Sequence, residues 1–220
     1  RSGEVIDNLE AKNTNNERIK FLYEGTEMIV NFTSPELSTG DSLIFIRAYN
    51  LKAGIWKFRL TGQSIVDGKY YAWIPQRELL DSETKFLNSV GYTTLTLSST
   101  SSGAISVAYY NQDDNSVISE SGRGYTRYGM IKPDIAAGGF NAIVTNPGGG
   151  TAVISGSSVA GAVVAGCCAL ILQWAVVDKN YPDIYAAQIK SYIISGAKGR
   201  PGDVYPNKEW GYGMFDMQGV

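Results

Sequence analysis

The 220-residue sequence contains no histidine. A Ser-His-Asp or Cys-His mechanism, a His-ligated zinc site and an imidazole acid–base pair are therefore all excluded within this chain. Any such chemistry must take its histidine from another polypeptide. Cysteine is almost as scarce: the only two, Cys167 and Cys168, are adjacent. Neighbouring residues rarely bridge to each other, so no disulfide framework is implied and both read as small apolar core residues. Excess charge is missing too. Nineteen Lys and Arg against 21 Asp and Glu leave a net charge of -2, with no basic footprint for nucleic acid and no polybasic patch for a membrane surface. The sequence opens Arg1-Ser2-Gly3-Glu4, without an initiator Met or a signal-peptide pattern, which reads as a processed fragment or one piece of a longer protein. Asp113 and Asp114, flanked by Asn111 and Asn115, lack the Gly and terminal Glu of an EF-hand loop and read as a solvated turn. No metal and no cofactor is expected.

What is abundant is turn and strand chemistry: 25 Gly, 14 Tyr and 4 Trp suit many strands joined by tight turns. Phe21 to Phe32 alternates in part and is interrupted at Glu24-Gly25-Thr26. Ser42 to Arg47 is a short apolar run, as in a strand buried on both faces, preceded by the turn residues Ser38 to Asp41. Ile55 to Leu60 alternates strictly, and Tyr70 to Ile74 closes the series before Pro75. Strands at this spacing with no helix between them predict a β-sandwich or jelly roll. Gln76 to Asn88 reads as a connector.

From Thr93 the pattern changes. Thr94 to Leu97, Ala104 to Tyr109 and Ala142 to Thr145 are expected strands, with a polar surface loop over Asn111 to Gly124 and a flexible Pro147 to Gly150. Two helices follow. Ser158 to Val177 carries no charge and has the length of a transmembrane span. Its glycines and alanines, and the lack of a basic flank, favour a helix buried all round in a soluble core. Asp183 to Ser195 is the second helix, with Asp183 as N-cap, Ala186, Ile189 and Ile193 on one face, and Gly196 to end it. Strands followed by helices imply an α/β core.

Ser155-Gly156-Ser157-Ser158-Val159-Ala160 joins a loop to the start of the uncharged helix. A serine there suits nucleophilic catalysis, because free N–H groups and the positive helix end stabilise an oxyanion. Taken alone, Gly-Ser-Ser equally describes an ordinary N-cap. Arg123, Arg127 and Lys132 read as residues that shape the fold by pairing with core carboxylates such as Asp134.

With Val164-Ala165-Gly166 and Ala169-Leu170 behind it, this segment resembles the subtilase nucleophile motif Gly-Thr-Ser-x-Ala-x-Pro-His-x-Ala-Gly, with Ser158 at the nucleophile position. Ser121-Gly122-Arg123-Gly124 and Ile131-Lys132-Pro133-Asp134-Ile135-Ala136 resemble the family's S-x-R-G and K-P-D-I-x-A-P-G block. Trp210 to Asp216 resembles its closing G-x-G-x-x-D segment. Tyr23 to Thr26, Gly54-Ile55-Trp56, Gly68 to Pro75 and Tyr92 to Thr96 look like the Csp proteins, clostridial spore-germination subtilases with a jelly-roll domain inserted before the nucleophile segment.

The resemblance implies an α/β subtilase core, of which residues 91–220 are the C-terminal part: a parallel sheet with a buried central helix. Residues 1–90 would be part of the jelly-roll β domain. In the family the catalytic Asp and His and the oxyanion Asn precede the insertion. The implied partner is thus the N-terminal portion of the same subtilase, with its prodomain and its Asp- and His-bearing part. Another Csp-type protein or a germination pro-enzyme is a further implied partner; nucleic acid and a membrane span are not. The implied location is the cortex or coat region of a bacterial spore. Three departures bear on activity: Ala137-Gly138-Gly139 replaces Ala-Pro-Gly, Gly156-Ser157-Ser158 replaces Gly-Thr-Ser, and Ala162-Val163 replaces Pro-His. They favour a pseudoprotease acting in germination signalling or on a partner protease. The alternative is the C-terminal part of an active serine endopeptidase that cleaves a germination pro-enzyme with Ser158.

Overall fold

Two short alternating stretches separated by Gly25 fold as a hairpin, β1 (Glu17–Lys20) and β2 (Glu27–Thr33). The interruption seen in the sequence is its turn. Gly25 adopts φ +64°, and Phe21 N–H donates to the Thr26 carbonyl at 2.9 Å. β3 (Leu43–Tyr49) adds antiparallel to β2, giving the order β1-β2-β3. Ile19 and Met28 face each other across the first ladder and are buried, as is Thr26, whose hydroxyl donates to the Asn50 carbonyl at 2.9 Å. The computed structural model describes residues 2–7, 9–10, 16–62, 64–65, 67–76 and 79–220. This sheet belongs to the first of two units, Arg1–Trp73, and the second is Ile74–Val220.

The first unit differs from the sequence expectation in two ways. β3 forms, but every one of its residues is exposed rather than buried on both faces. Ile55 to Leu60 and Tyr70 to Ile74 form no strand ladder. Alternation makes a strand only where a neighbour accepts its backbone groups. Here Trp56 instead packs edge-on against Phe21, with centroids 5.0 Å apart, and Tyr71 stacks on Trp73 at 5.5 Å. The described residues of this unit hold one three-stranded sheet, and the second layer of the expected sandwich is not seen among them. Part of the Gln76–Asn88 connector, residues 77 and 78, lies outside the described residues.

The second unit is built on a small mixed sheet of order β5-β4-β6, from β4 (Val107–Asn111), β5 (Ser116–Val117) and β6 (Ile135–Gly138). β4 and β6 run parallel, with Val107 opposite Ile135 and Tyr109 opposite Ala137, while β5 returns antiparallel. Asp113 to Asn115 make the turn before β5: Asp114 Oδ1 accepts from Ser116 N–H, and Asn115 sits at φ 56°. β7 (Ala142–Thr145) and β8 (Thr151–Ile154) form a separate hairpin. Thr94 to Leu97, expected as a strand, is irregular and leads into a 3-10 turn at Ser98–Thr100.

Helix α1 (Ser157–Leu172) continues into a π turn (Gln173–Val177), and α2 (Ala186–Ser195) follows. The period-two alternation of β4 and β6 sorts two cores. Tyr109, Ile135 and Ala137 join Ala160, Val164, Cys167 and Ile171 of α1 and Ile189 and Ile193 of α2, while Ala108 and Ala136 pack against Trp210 on the other face. The spacing 160, 164, 167, 171 is a single helical stripe. α1 is therefore not buried all round: Val163, Leu170, Leu172, Trp174 and Val177 on its other side are exposed. The start of α2 is also corrected. Its N-cap is Tyr185, not Asp183, because the Gln188 side chain reaches back to accept from Tyr185 N–H at 3.1 Å. Gly196 does end α2, but at φ −81°, and its lack of a side chain serves close packing: a Cβ there would lie 2.7 Å from the Gly219 carbonyl carbon.

The entry to β6 is fixed by a buried ion cluster. Asp134, 2% exposed, accepts from Lys132 Nζ and Ser106 N–H at Oδ2 and pairs with Lys190 Nζ at Oδ1, each at 2.7 Å. Lys132, 1% exposed, also donates to the Ala104 carbonyl at 2.7 Å. One carboxylate thereby joins the start of β4, the approach to β6 and helix α2. The Asp134→Asn variant leaves a buried ammonium without its counter-charge, so equilibrium urea unfolding should show a loss of about 3–5 kcal/mol.

Candidate active site

Strand β6 delivers the chain to Gly138 and Gly139, and the site is assembled from there. Gly139 N–H donates to the Tyr110 carbonyl at 3.1 Å, and its own carbonyl accepts from Gly156 N–H at 2.8 Å. The residue before α1 is thus tied directly to the end of the sheet. Gly139 has no room for a side chain: a Cβ would meet the Gly156 oxygen at 2.8 Å, Tyr109 Cβ at 3.2 Å and Ala160 Cβ at 3.3 Å. Gly156 itself has φ 148°, a conformation that L residues rarely adopt.

A second clasp lies beside the first. Asn141, at φ 48°, donates its N–H to Ser155 Oγ at 2.8 Å, and Ser155 Oγ donates back to Asn141 Oδ1 at 3.3 Å. The two ends of the β7–β8 hairpin are pinned together immediately before the helix. With Gly156 and Ser155 both held, the position of the first helical turn is set by the sheet.

Ser158 is the second residue of α1 and is exposed. Its hydroxyl makes no hydrogen bond among the described residues. Val159 and Ala160 N–H groups both reach the Gly156 carbonyl, at 3.1 and 3.4 Å. The N–H groups of Ser157 and Ser158 precede the intrahelical ladder, as the first donors of any helix do. A free hydroxyl beside such donors at the positive end of a helix is chemically suited to attack a carbonyl and hold the resulting oxyanion. A serine hydroxyl is a weak nucleophile until a neighbour takes its proton, and this chain supplies no imidazole to do so.

The other motif residues are brought into one frame behind this turn. Ser121 Oγ accepts from Tyr109 N–H at 3.1 Å, locking the upstream loop onto β4. Lys132 pairs with Asp134, as its sequence neighbourhood suggested. Arg123 instead lies 3.3 Å from Glu209, and Arg127 lies over the Tyr128 ring at 4.7 Å. The closing segment runs beside β6: Ala136 N–H donates to the Gly213 carbonyl at 2.9 Å, and Phe215 N–H to the Ala136 carbonyl at 2.7 Å. At Gly211, φ +59°, a Cβ would overlap the Pro133 carbonyl. Lys190 was missed by sequence reasoning. It lies 56 positions from Asp134 on an otherwise ordinary helix, and no local pattern marks it.

A model of the subtilase family matches residues 84–213. The solved structure of the Clostridium perfringens CspB protease is similar over 94% of this chain, with a TM-score of 0.77 and 30% sequence identity, and this chain covers 44% of that one. The patellamide maturation protease PatA (TM-score 0.48, 23% identity) and the prenylagaramide maturation protease PagA (0.48, 22%) each align with 59% of this chain, which covers 46% and 45% of theirs. The chain spans less than half the length of these relatives. No curated protein matches it.

The seat of the helix is open to direct test. Gly139→Ala should push Gly156 and Ala160 away from β4, costing about 1–3 kcal/mol in chemical denaturation. Faster amide exchange at the α1 start should accompany it, with the α2 amides unchanged.

Proposed function

The chain belongs to the subtilase family, and on that premise we propose that it carries the nucleophile position of a Csp-type spore-germination protein that signals or regulates a partner protease without cleaving peptides itself. The observation that carries this reading is the neighbourhood of Ser158. The hydroxyl is presented at the helix start, yet Ser157, Ala162 and Val163 stand where the family motif has Thr, Pro and His, and Gly138 stands where it has Pro. Three segments around one serine depart together. A site selected for acyl transfer has its geometry restrained by such positions, whereas a binding surface does not.

A second reading is favoured by the intact fold of the site. The Gly139–Gly156 bond, the Asn141–Ser155 clasp and the unhindered Ser158 hydroxyl are what a working nucleophile needs. In that reading Ser158 attacks the scissile carbonyl of a germination pro-enzyme, and the Asp and His come from the N-terminal portion of the same subtilase.

Both readings place a polypeptide against α1. The most apolar stretch of the π-extended helix, Ser157–Val177, has a mean hydropathy of 2.1 and is only one-third buried. By length and composition it is able to cross a membrane, but its inner stripe is a packed core against β4 and β6. Its outer face, with Val163, Leu170 and Trp174, is an apolar patch of the kind that marks an interface. We assign that face to the N-terminal portion, with its prodomain and its Asp- and His-bearing part. Residues 1–90 would be part of a jelly-roll insertion completed by the same portion. The proposed setting is the cortex or coat of a bacterial spore.

The two readings separate on one reaction. Incubation of the intact protein with a fluorophosphonate, followed by peptide mass spectrometry, should leave Ser158 unmodified. A stoichiometric adduct on Ser158, absent from the Ser158→Ala variant, would establish the protease reading instead.

A further inference from the structure

The three-stranded sheet of the first unit has two unlike edges. β1 is only four residues long and carries Glu17, Arg18 and Lys20, the short, charged form in which edge strands resist further pairing. β3 is seven residues long, with one charge and no proline, and is exposed throughout. Among the described residues no strand pairs with its outer edge.

The ladder fixes which groups that edge presents. Phe21 N–H donates to the Thr26 carbonyl and Gly25 N–H to the Phe21 carbonyl, both at 2.9 Å, so the hairpin starts on a hydrogen-bonded pair. Bonded and non-bonded pairs alternate along an antiparallel ladder. Met28 and Val30 therefore bond to β1, while Glu27, Ile29, Asn31 and Thr33 turn their backbone groups toward Tyr49, Arg47, Phe45 and Leu43 of β3. The backbone groups of Ile44, Ile46 and Ala48 are left pointing outward. The side chains of these three share a face with their partners Phe32, Val30 and Met28, so one side of the edge is wholly apolar. The other side carries Leu43, Phe45, Arg47 and Tyr49, with the Arg47 guanidinium 5.7 Å from the centre of the Phe45 ring.

We infer that the outer edge of β3 takes up an extended strand of the N-terminal portion of the same subtilase, hydrogen-bonded to Ile44, Ile46 and Ala48. That strand is apolar at the positions beside these three, and polar or acidic at the alternate ones, where Arg47 lies. The inference rests on the reading of residues 1–90 as part of an insertion completed by that portion, and it names the edge and the groups that join them. The likeness to the CspB protease supports the source. It extends over 94% of this chain, and so into both units, yet this chain covers only 44% of that one. More than half of that relative therefore lies outside the match. In strand addition of this kind main-chain hydrogen bonds supply the affinity, and alternate side chains supply the selectivity. β3 then becomes an interior strand, in keeping with the apolar run of its sequence.

Hydrogen exchange resolved to single amides tests this, on the protein as isolated with whatever polypeptide it is continuous with or bound to, together with its intact mass. The N–H groups of Ile44, Ile46 and Ala48 should exchange on the order of a hundredfold more slowly than those of an unpaired edge, alongside a protected Phe45 and Arg47. Ala48→Pro removes an outward donor and spares the bonds to β2. It should return Ile44 and Ile46 to fast exchange and leave Phe45 and Arg47 protected. Fast exchange at Ile44 and Ile46 beside a protected Phe45 in the unsubstituted protein overturns the inference. Where the mass shows the N-terminal portion in place, the inference then fails alone; where it shows none, the reading beneath it fails too. Protection in an assembly made only of this chain also overturns it, because the added strand is then a second copy. If Ala48→Pro unfolds the sheet, Phe45 and Arg47 exchange fast as well, and the unsubstituted protein decides.

Discussion

The Asp134 carboxylate is the constraint on which the α/β unit depends. It has three donors from three parts of the chain: Lys132 two residues before it, the Ser106 backbone at the foot of β4, and Lys190 on α2. Burying such a cluster is costly in desolvation, and these three charged and backbone donors offset that cost. Its effect reaches the functional end of the sheet through a short ruler. Four residues separate Asp134 from Gly139, the intervening strand is clamped between β4 and the closing segment, and Gly139 then holds Gly156. Ser158 is thus placed by a charge cluster at the opposite end of one strand.

The close approaches along that ruler explain its glycines. Gly139 meets Gly156 and Tyr109, and Gly211 meets the backbone of Pro133 and Asp134. In both places main chain packs on main chain with no room for a methyl group. The sheet, helix and closing loop are therefore set by backbone contact, which tolerates less adjustment than side-chain packing. Gly138, where the family motif has Pro, takes its place at the end of β6 within this frame.

Much of this was legible in the sequence, and the reasons are physical. The three motifs are local strings whose spacing is fixed by one strand and one helix start, so Lys132-Pro133-Asp134, Gly156 to Ser158 and Trp210 to Asp216 could be recognised and ordered. Helix α1 and the hairpin turn at Gly25 also follow from local pattern. What failed depends on neighbours. Ile55 to Leu60 alternates as a strand but finds no ladder, and β3 pairs on one edge yet stays exposed on both faces. The role of Lys190 required knowing which helix face meets Asp134. The absence of charge on α1 predicted complete burial, whereas one face of it is open in this unit. Composition records what a helix tolerates, and packing decides which side is covered.

That open face gives the proposal a physical form: a histidine-bearing polypeptide of a larger subtilase core is proposed to cover α1. Native mass spectrometry of the chain as isolated from its own cells tests this most directly. The account predicts that the chain is held in an assembly with, or is continuous with, a polypeptide that supplies the remaining strands and the histidine. A stable, monodisperse monomer of these 220 residues alone, with Trp174 exposed to a polar quencher, would contradict it.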